Sequence, residues 1–193
     1  MNLPNQLTVL RLILTMVFVG VTASNASWAF SIGLPLFIAA SITDWMDGAI
    51  ARKRNLVTTF GKLMDPLADK ILMCATFVVL TAHHLIPAWV VILILSREFL
   101  VTGLRLVASS QGAILAADSL GKLKTILQIA TAIYLLLFLA TKEELLRAIG
   151  PVFSIKWLSL AYLGNALIYA ALFVTAISGW RYLSSNRHLL KDA

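Results

Sequence analysis

Residues 12–43, 71–96, 125–141 and 157–180 contain no Asp, Glu, Lys or Arg. Uncharged runs of that length restrict the fold more than any other feature of the chain. Crossing a hydrocarbon layer of about 30 Å at about 1.5 Å per residue takes about 20 apolar residues. A backbone in lipid must also satisfy its own polar groups, which favours helices. Composition agrees: 60% of the 193 residues are hydrophobic, 13% are charged, and the mean hydropathy is +0.88. Soluble domains carry about 25% charged residues. A soluble globule, a disordered chain and a collagen-like fibre are therefore excluded. Cys74 is the sole cysteine, so no intrachain disulfide braces the fold.

Two of the runs are too long for single spans and carry breakers. Ser24, Asn25 and Ser27 interrupt the first; His83, His84 and Pro87 interrupt the second. The resulting expectation is an all-α integral membrane protein, one domain over 1–193, with six transmembrane helices near 7–23, 28–52, 61–82, 86–109, 119–141 and 156–182. Residues 71–82 alone would cover only about 18 Å. Helix three must therefore recruit residues from Gly61 onward, and helix four residues beyond Ser96. That draws Asp65, Asp69, Arg97 and Glu98 into the ends of real spans, where ionisable groups are costly and mark functional cavities. Of sixteen Lys and Arg, only Lys142, Arg147 and Lys156 fall on one side. The positive-inside rule then puts both termini and the charged pocket in the cytoplasm. The turn holding Lys142, Glu143, Glu144 and Arg147 is expected on the outer face, solvated and paired at i, i+4. The net charge of +7 is thus a matter of topology and anionic ligands; no nucleic-acid partner is expected.

Between helices two and three lie Asp44, Asp47, Gly48, Ala51 and Arg52, then eight residues, then Gly61, Asp65 and Asp69. The spacings of three and four put each aspartate pair on one helix face. Antiparallel neighbours would bring the pairs together, and four carboxylates there cannot all ionise uncompensated. Two Mg2+ or Mn2+ ions, which prefer hard oxygen ligands, would balance them. Such two-metal sites serve displacement at phosphorus. Plainer readings exist for single residues. Asp65 before Pro66 could be a helix N-cap, Gly48 could ease helix packing, and Arg52 could snorkel.

The pattern D-x-x-D-G-x-x-A-R, eight residues, G-x-x-x-D-x-x-x-D resembles the signature of the CDP-alcohol phosphatidyltransferases, with every fixed position present. The segments around Asn5, Thr8 and Arg11, around Arg97, Glu98, Gly103 and Arg105, and around Gly121, Lys122, Lys124 and Gln128 look like the bacterial branch that makes phosphatidylglycerophosphate. The resemblance implies two metals on Asp44, Asp47, Asp65 and Asp69, with Asp69 also the general base. It implies binding of CDP-diacylglycerol by Gly48, Arg52 and Thr58, with Gly61, Asn5 and Thr8 assisting. A six-helix homodimer open to the cytoplasm is also implied.

For the acceptor, Glu98, Thr102 and Arg105 form one stripe of helix four, and Gly121, Lys124, Thr125 and Gln128 one of helix five. Arg105, Lys122 and Lys124 can converge on an anion beyond the donor diphosphate, since arginine and lysine both bind phosphate. That favours sn-glycerol 3-phosphate as acceptor, with inositol phosphate the rival; serine or free inositol would need no such group. Arg97, lying deeper, is expected to pair with a carboxylate or support the site. A prenyltransferase would also use Asp-rich helices, and a cation transporter could use the carboxylates as an ion site. The first usually needs more helices, and the second leaves the basic cluster unexplained.

Overall fold

The computed structural model describes the backbone of residues 3–24, 26–54, 59–110 and 119–185, and side chains over 6–24, 26–43, 67–68, 70–108 and 120–185. Among these residues there is no strand. Six α-helices follow in order: α1 Leu3–Ala23, α2 Ala29–Arg54, α3 Thr59–Ala82, α4 Ala88–Ser110, α5 Ser119–Ala140 and α6 Asn165–Ser185. Three segments are long and apolar enough to cross a membrane: Gln6–Ala23, Leu120–Ala140 and Leu160–Ser185. Shorter apolar stretches, Ala29–Thr43 and Lys70–Ala82, belong to α2 and α3. α4 carries Arg97, Glu98 and Arg105 along its length.

Packing places α1 against both α2 and α3, and α5 against α2, α3 and α6, while α4 lies on α6 and α3. The core runs through the middle of this bundle. Phe18, Phe37, Phe77, Leu80, Val90, Leu135, Leu136 and Ile168 are fully buried within it. Gly33 lets α1 and α2 approach: a Cβ there would lie 2.6 Å from the Thr22 methyl. Around the outside the pattern inverts, with Met16, Val78, Ile92, Ile126 and Phe173 all well exposed. Such a surface suits contact with lipid or with another protein, not with water. Buried hydroxyls bond back to their own helices, Thr15 to the Arg11 carbonyl (2.8 Å), Thr22 to Phe18 (2.7 Å) and Thr76 to Leu72 (2.8 Å). A membrane helix has no water to do this.

The breakers act as expected. α3 ends in a Schellman turn: the Leu85 N–H donates to the Leu80 carbonyl (3.0 Å) and the His84 N–H to Thr81 (2.9 Å), with His84 left-handed at φ 57. His83 packs edge-on to Phe30, centroids 4.7 Å apart.

α3 begins at Thr59, so Asp65 lies inside the helix and the plainer reading of it as an N-cap does not hold. Two expectations need correcting. The sixth helix does not begin at 156. A 3-10 helix over Glu144–Ser154, a 3-10 turn at Lys156–Leu158 and a π-turn at Leu160–Gly164 precede α6. Pro151 interrupts the first of these. At the π-turn, the Gly164 N–H reaches back five residues to the Ser159 carbonyl (3.4 Å). A Cβ on Gly164 would meet Tyr134 of α5 at 3.2 Å, so close approach to α5 shapes this entry.

The second concerns Glu143: Lys142, Glu144 and Arg147 are exposed as expected, but the Glu143 carboxylate is engaged by the protein. Its two carboxylate oxygens accept the Phe30 and Ser31 backbone N–H groups, at 2.8 and 2.7 Å. The first turn of α2 has no acidic residue of its own. Its orphaned donors are capped from across the fold.

Candidate active site

Two groups of residues are candidates for the site. The first is the aspartate motif. α2 is helical through Asp44, Asp47, Gly48 and Arg52, and α3 through Gly61, Asp65 and Asp69. Helical spacing therefore puts Asp44 with Asp47, and Asp65 with Asp69, at positions on one face of their helix. The donor set, four carboxylates in two such pairs, suits two hard divalent cations. The side chains of Asp44, Asp47, Gly48, Arg52, Gly61, Asp65, Asp69 and Asn5, and the whole of Thr58, lie outside the described residues. Thr8 does not: it sits on α1, 1% exposed, one turn from Arg11, which is equally buried.

The second group begins at Lys70, the residue after Asp69. A cavity of about 410 Å³ lies between α3, α4 and α5, lined by Lys70, Arg97, Glu98, Val101, Thr102, Arg105, Gly121, Lys122, Lys124, Thr125 and Ile126. The two stripes read from the sequence thus face one another across it. Five of the lining residues are basic and one is acidic. Arg105 and Lys122 are exposed, and Lys124 is buried. The Arg105 guanidinium lies 5.9 Å from the centre of the Tyr182 ring.

Glu98 is the centre of this group. Its Oε2 accepts from Lys70 Nζ at 3.3 Å, and its Oε1 from Arg97 at 3.2 Å, from Lys124 Nζ, and from Gln128 at 3.5 Å. The network continues into α6. Gln128 donates to Thr175 Oγ1 (3.2 Å) and Arg97 to Ser178 Oγ (2.9 Å). Gly179 makes this possible, because a Cβ there would stand 2.7 Å from Arg97 Cγ. Arg97 therefore does pair with a carboxylate. A void of about 30 Å³ shares Lys70, Glu98, Lys124 and Thr125 with this cavity and is otherwise lined by Gln128 and the apolar Met73, Cys74, Phe77, Ile94 and Leu95.

Sequence spacing found both stripes but missed Lys70 as a partner of Glu98. Lys70 reads from sequence as a topology residue, although its place after Asp69 is a usable signal. Nothing in the spacing indicates that Glu98 would gather cations from three helices.

Comparison with known proteins settles the family. A profile described as CDP-alcohol phosphatidyltransferase matches residues 1–177, spanning both groups. The chain belongs to the CDP-alcohol phosphatidyltransferase family. Curated members resemble it along nearly their whole length. A CDP-diacylglycerol–glycerol-3-phosphate 3-phosphatidyltransferase from Bacillus subtilis is 43% identical, over 100% of this chain and 98% of its own. Proteins of the same name from Rickettsia typhi and Salmonella typhimurium are 39% and 33% identical. The alignments cover 95% and 99% of this chain, and 96% and 98% of theirs. As a phosphatidyltransferase of this family, the chain has its motif aspartates on two adjacent elements of sequence and the basic cavity at Lys70, the residue after the last of them.

Proposed function

We propose that this phosphatidyltransferase moves the phosphatidyl group of CDP-diacylglycerol onto sn-glycerol 3-phosphate, giving phosphatidylglycerophosphate and CMP. The observation that carries the acceptor is the cavity, where Lys70, Arg97, Arg105, Lys122 and Lys124 outnumber the single carboxylate of Glu98. A neutral alcohol needs no such lining, whereas a phosphate monoester does. The relatives' shared name supports the same substrates.

The donor is held at the aspartate motif, with Gly48, Arg52 and Thr58 at the CDP moiety and Gly61, Asn5 and Thr8 nearby. Asp44, Asp47, Asp65 and Asp69 would hold two divalent cations, Mg2+ or Mn2+, which supply charge compensation for the diphosphate. Asp69 accepts the proton of the attacking hydroxyl as its oxygen bonds to the lipid-proximal phosphorus and CMP departs. Arg105, Lys122 and Lys124 anchor the acceptor phosphate, so the hydroxyl approaches from the α4–α5 side. The protein works as one domain with six spans, both termini and the site cytoplasmic, and it pairs as a homodimer in the membrane.

The test is purified protein in detergent with CDP-diacylglycerol, Mg2+ and a panel of alcohols, followed by CMP release. Glycerol 3-phosphate should support release and serine and inositol should not. Release with inositol phosphate or serine in place of glycerol 3-phosphate would refute the acceptor. Turnover that survives complete chelation would refute the two cations.

A further inference from the structure

An anion-binding cavity with a buried carboxylate at its centre presents a contradiction, because Glu98 should repel the phosphate that the surrounding cations attract. Its bonding resolves this. Glu98 is 8% exposed, and both its oxygens are occupied by donors from three helices: Lys70 on α3, Arg97 on α4, and Lys124 and Gln128 on α5. Three cations so close together in a partly buried site would push one another apart without an intervening negative charge. With Glu98 between them they form one wall of the cavity, tied to α6 through Ser178 and Thr175. Arg105 and Lys122 lie at the same cavity with no bond to that carboxylate.

We infer that Glu98 is a positioning residue for the acceptor: it fixes Lys70, Arg97 and Lys124 as an ordered wall against which Arg105 and Lys122 grip the incoming phosphate. This rests on the acceptor reading above. The phosphate meets a preorganised surface, which limits the ordering lost on binding. Gln128 bridges Glu98 to Thr175, so α6 shares in holding the wall although the described lining residues belong to α3, α4 and α5.

Two views of Glu98 predict opposite signs. If it acts only as a charge that opposes the acceptor, Glu98→Gln should lower the acceptor KM. If it positions the cations, the same variant should raise that KM at least tenfold. The donor KM should then stay within twofold, and Glu98→Asp, which keeps the charge on a shorter arm, should fall between. Inorganic phosphate, used as a competitive inhibitor against glycerol 3-phosphate, should lose potency in step with the rise in KM. An acceptor KM that is unchanged or lower in Glu98→Gln overturns the inference, as does an equal rise in both KM values. If Glu98→Gln does not yield folded protein, the same comparison in Glu98→Asp decides: a rise confined to the acceptor supports positioning, and any other pattern overturns it. Failure of the unmodified enzyme to release CMP with glycerol 3-phosphate would instead overturn the acceptor reading itself.

Discussion

Arg97 occupies the room left by the missing side chain of Gly179, and it is held there by Glu98 and Ser178 at 3.2 and 2.9 Å. Because the clash would fall on Cγ, near the root of a tethered side chain, Gly179→Ala should displace Arg97 instead of merely bending its tip. Overpacking of this kind costs about 1–3 kcal/mol, readable as a lower melting temperature in detergent. A variant as stable as the parent would mean that Arg97 can relax freely. Asp69 calls for a different experiment. On the proposed mechanism Asp69→Asn preserves shape but removes the base, so CMP release should fall about 10²–10⁴-fold, with the KM for CDP-diacylglycerol little changed. Near-normal release would place the base elsewhere. Individual roles of this sort were only partly legible in the sequence. The spacing put Glu98, Thr102 and Arg105 on one stripe, yet the partners of Glu98 come from residues 28 and 26 positions away. Periodicity within one helix carries no information about such pairs.

Among the elements, α2 depends on a residue far outside it. Glu143 caps its first turn with two charge-assisted hydrogen bonds. Glu143→Ala should therefore cost about 0.5–2 kcal/mol of stability while leaving both KM values unchanged, since the capped end is opposite the aspartate end of the helix. Thermal denaturation together with acceptor titration would test this; a selective loss of acceptor affinity would contradict it. The five helices from α1 to α5 were readable because uncharged runs and their breakers mark them directly. The cap was not, because its donors lie 112 and 113 residues from Glu143. The entry to α6 was hidden for a related reason. Its π-turn answers to the contact between Gly164 and Tyr134, and an apolar run continuous from Trp157 gives no hint of it.

For the whole molecule, the expected topology places residue 55 in the cytoplasm and residue 25 outside. In a Cys74→Ala background, Asn55→Cys should react with an impermeant thiol reagent only from the cytoplasmic face, and Asn25→Cys only from the opposite face. The reverse pattern would put the site on the wrong side of the membrane for a cytoplasmic donor. The Glu98 cluster also bears on how the chain enters that membrane. A charged side chain within a membrane span is costly to insert, by up to about 2.5–3.5 kcal/mol on translocon scales, and α4 has Arg97 and Glu98 side by side. Lys70 precedes them by one helix in the sequence and pairs with Glu98 at 3.3 Å. Lys124 and Ser178 follow one and two helices later. The polar centre of α4 is therefore assembled from residues spread over four helices, and no segment that ends with α4 contains the lysine and the hydroxyl that complete it.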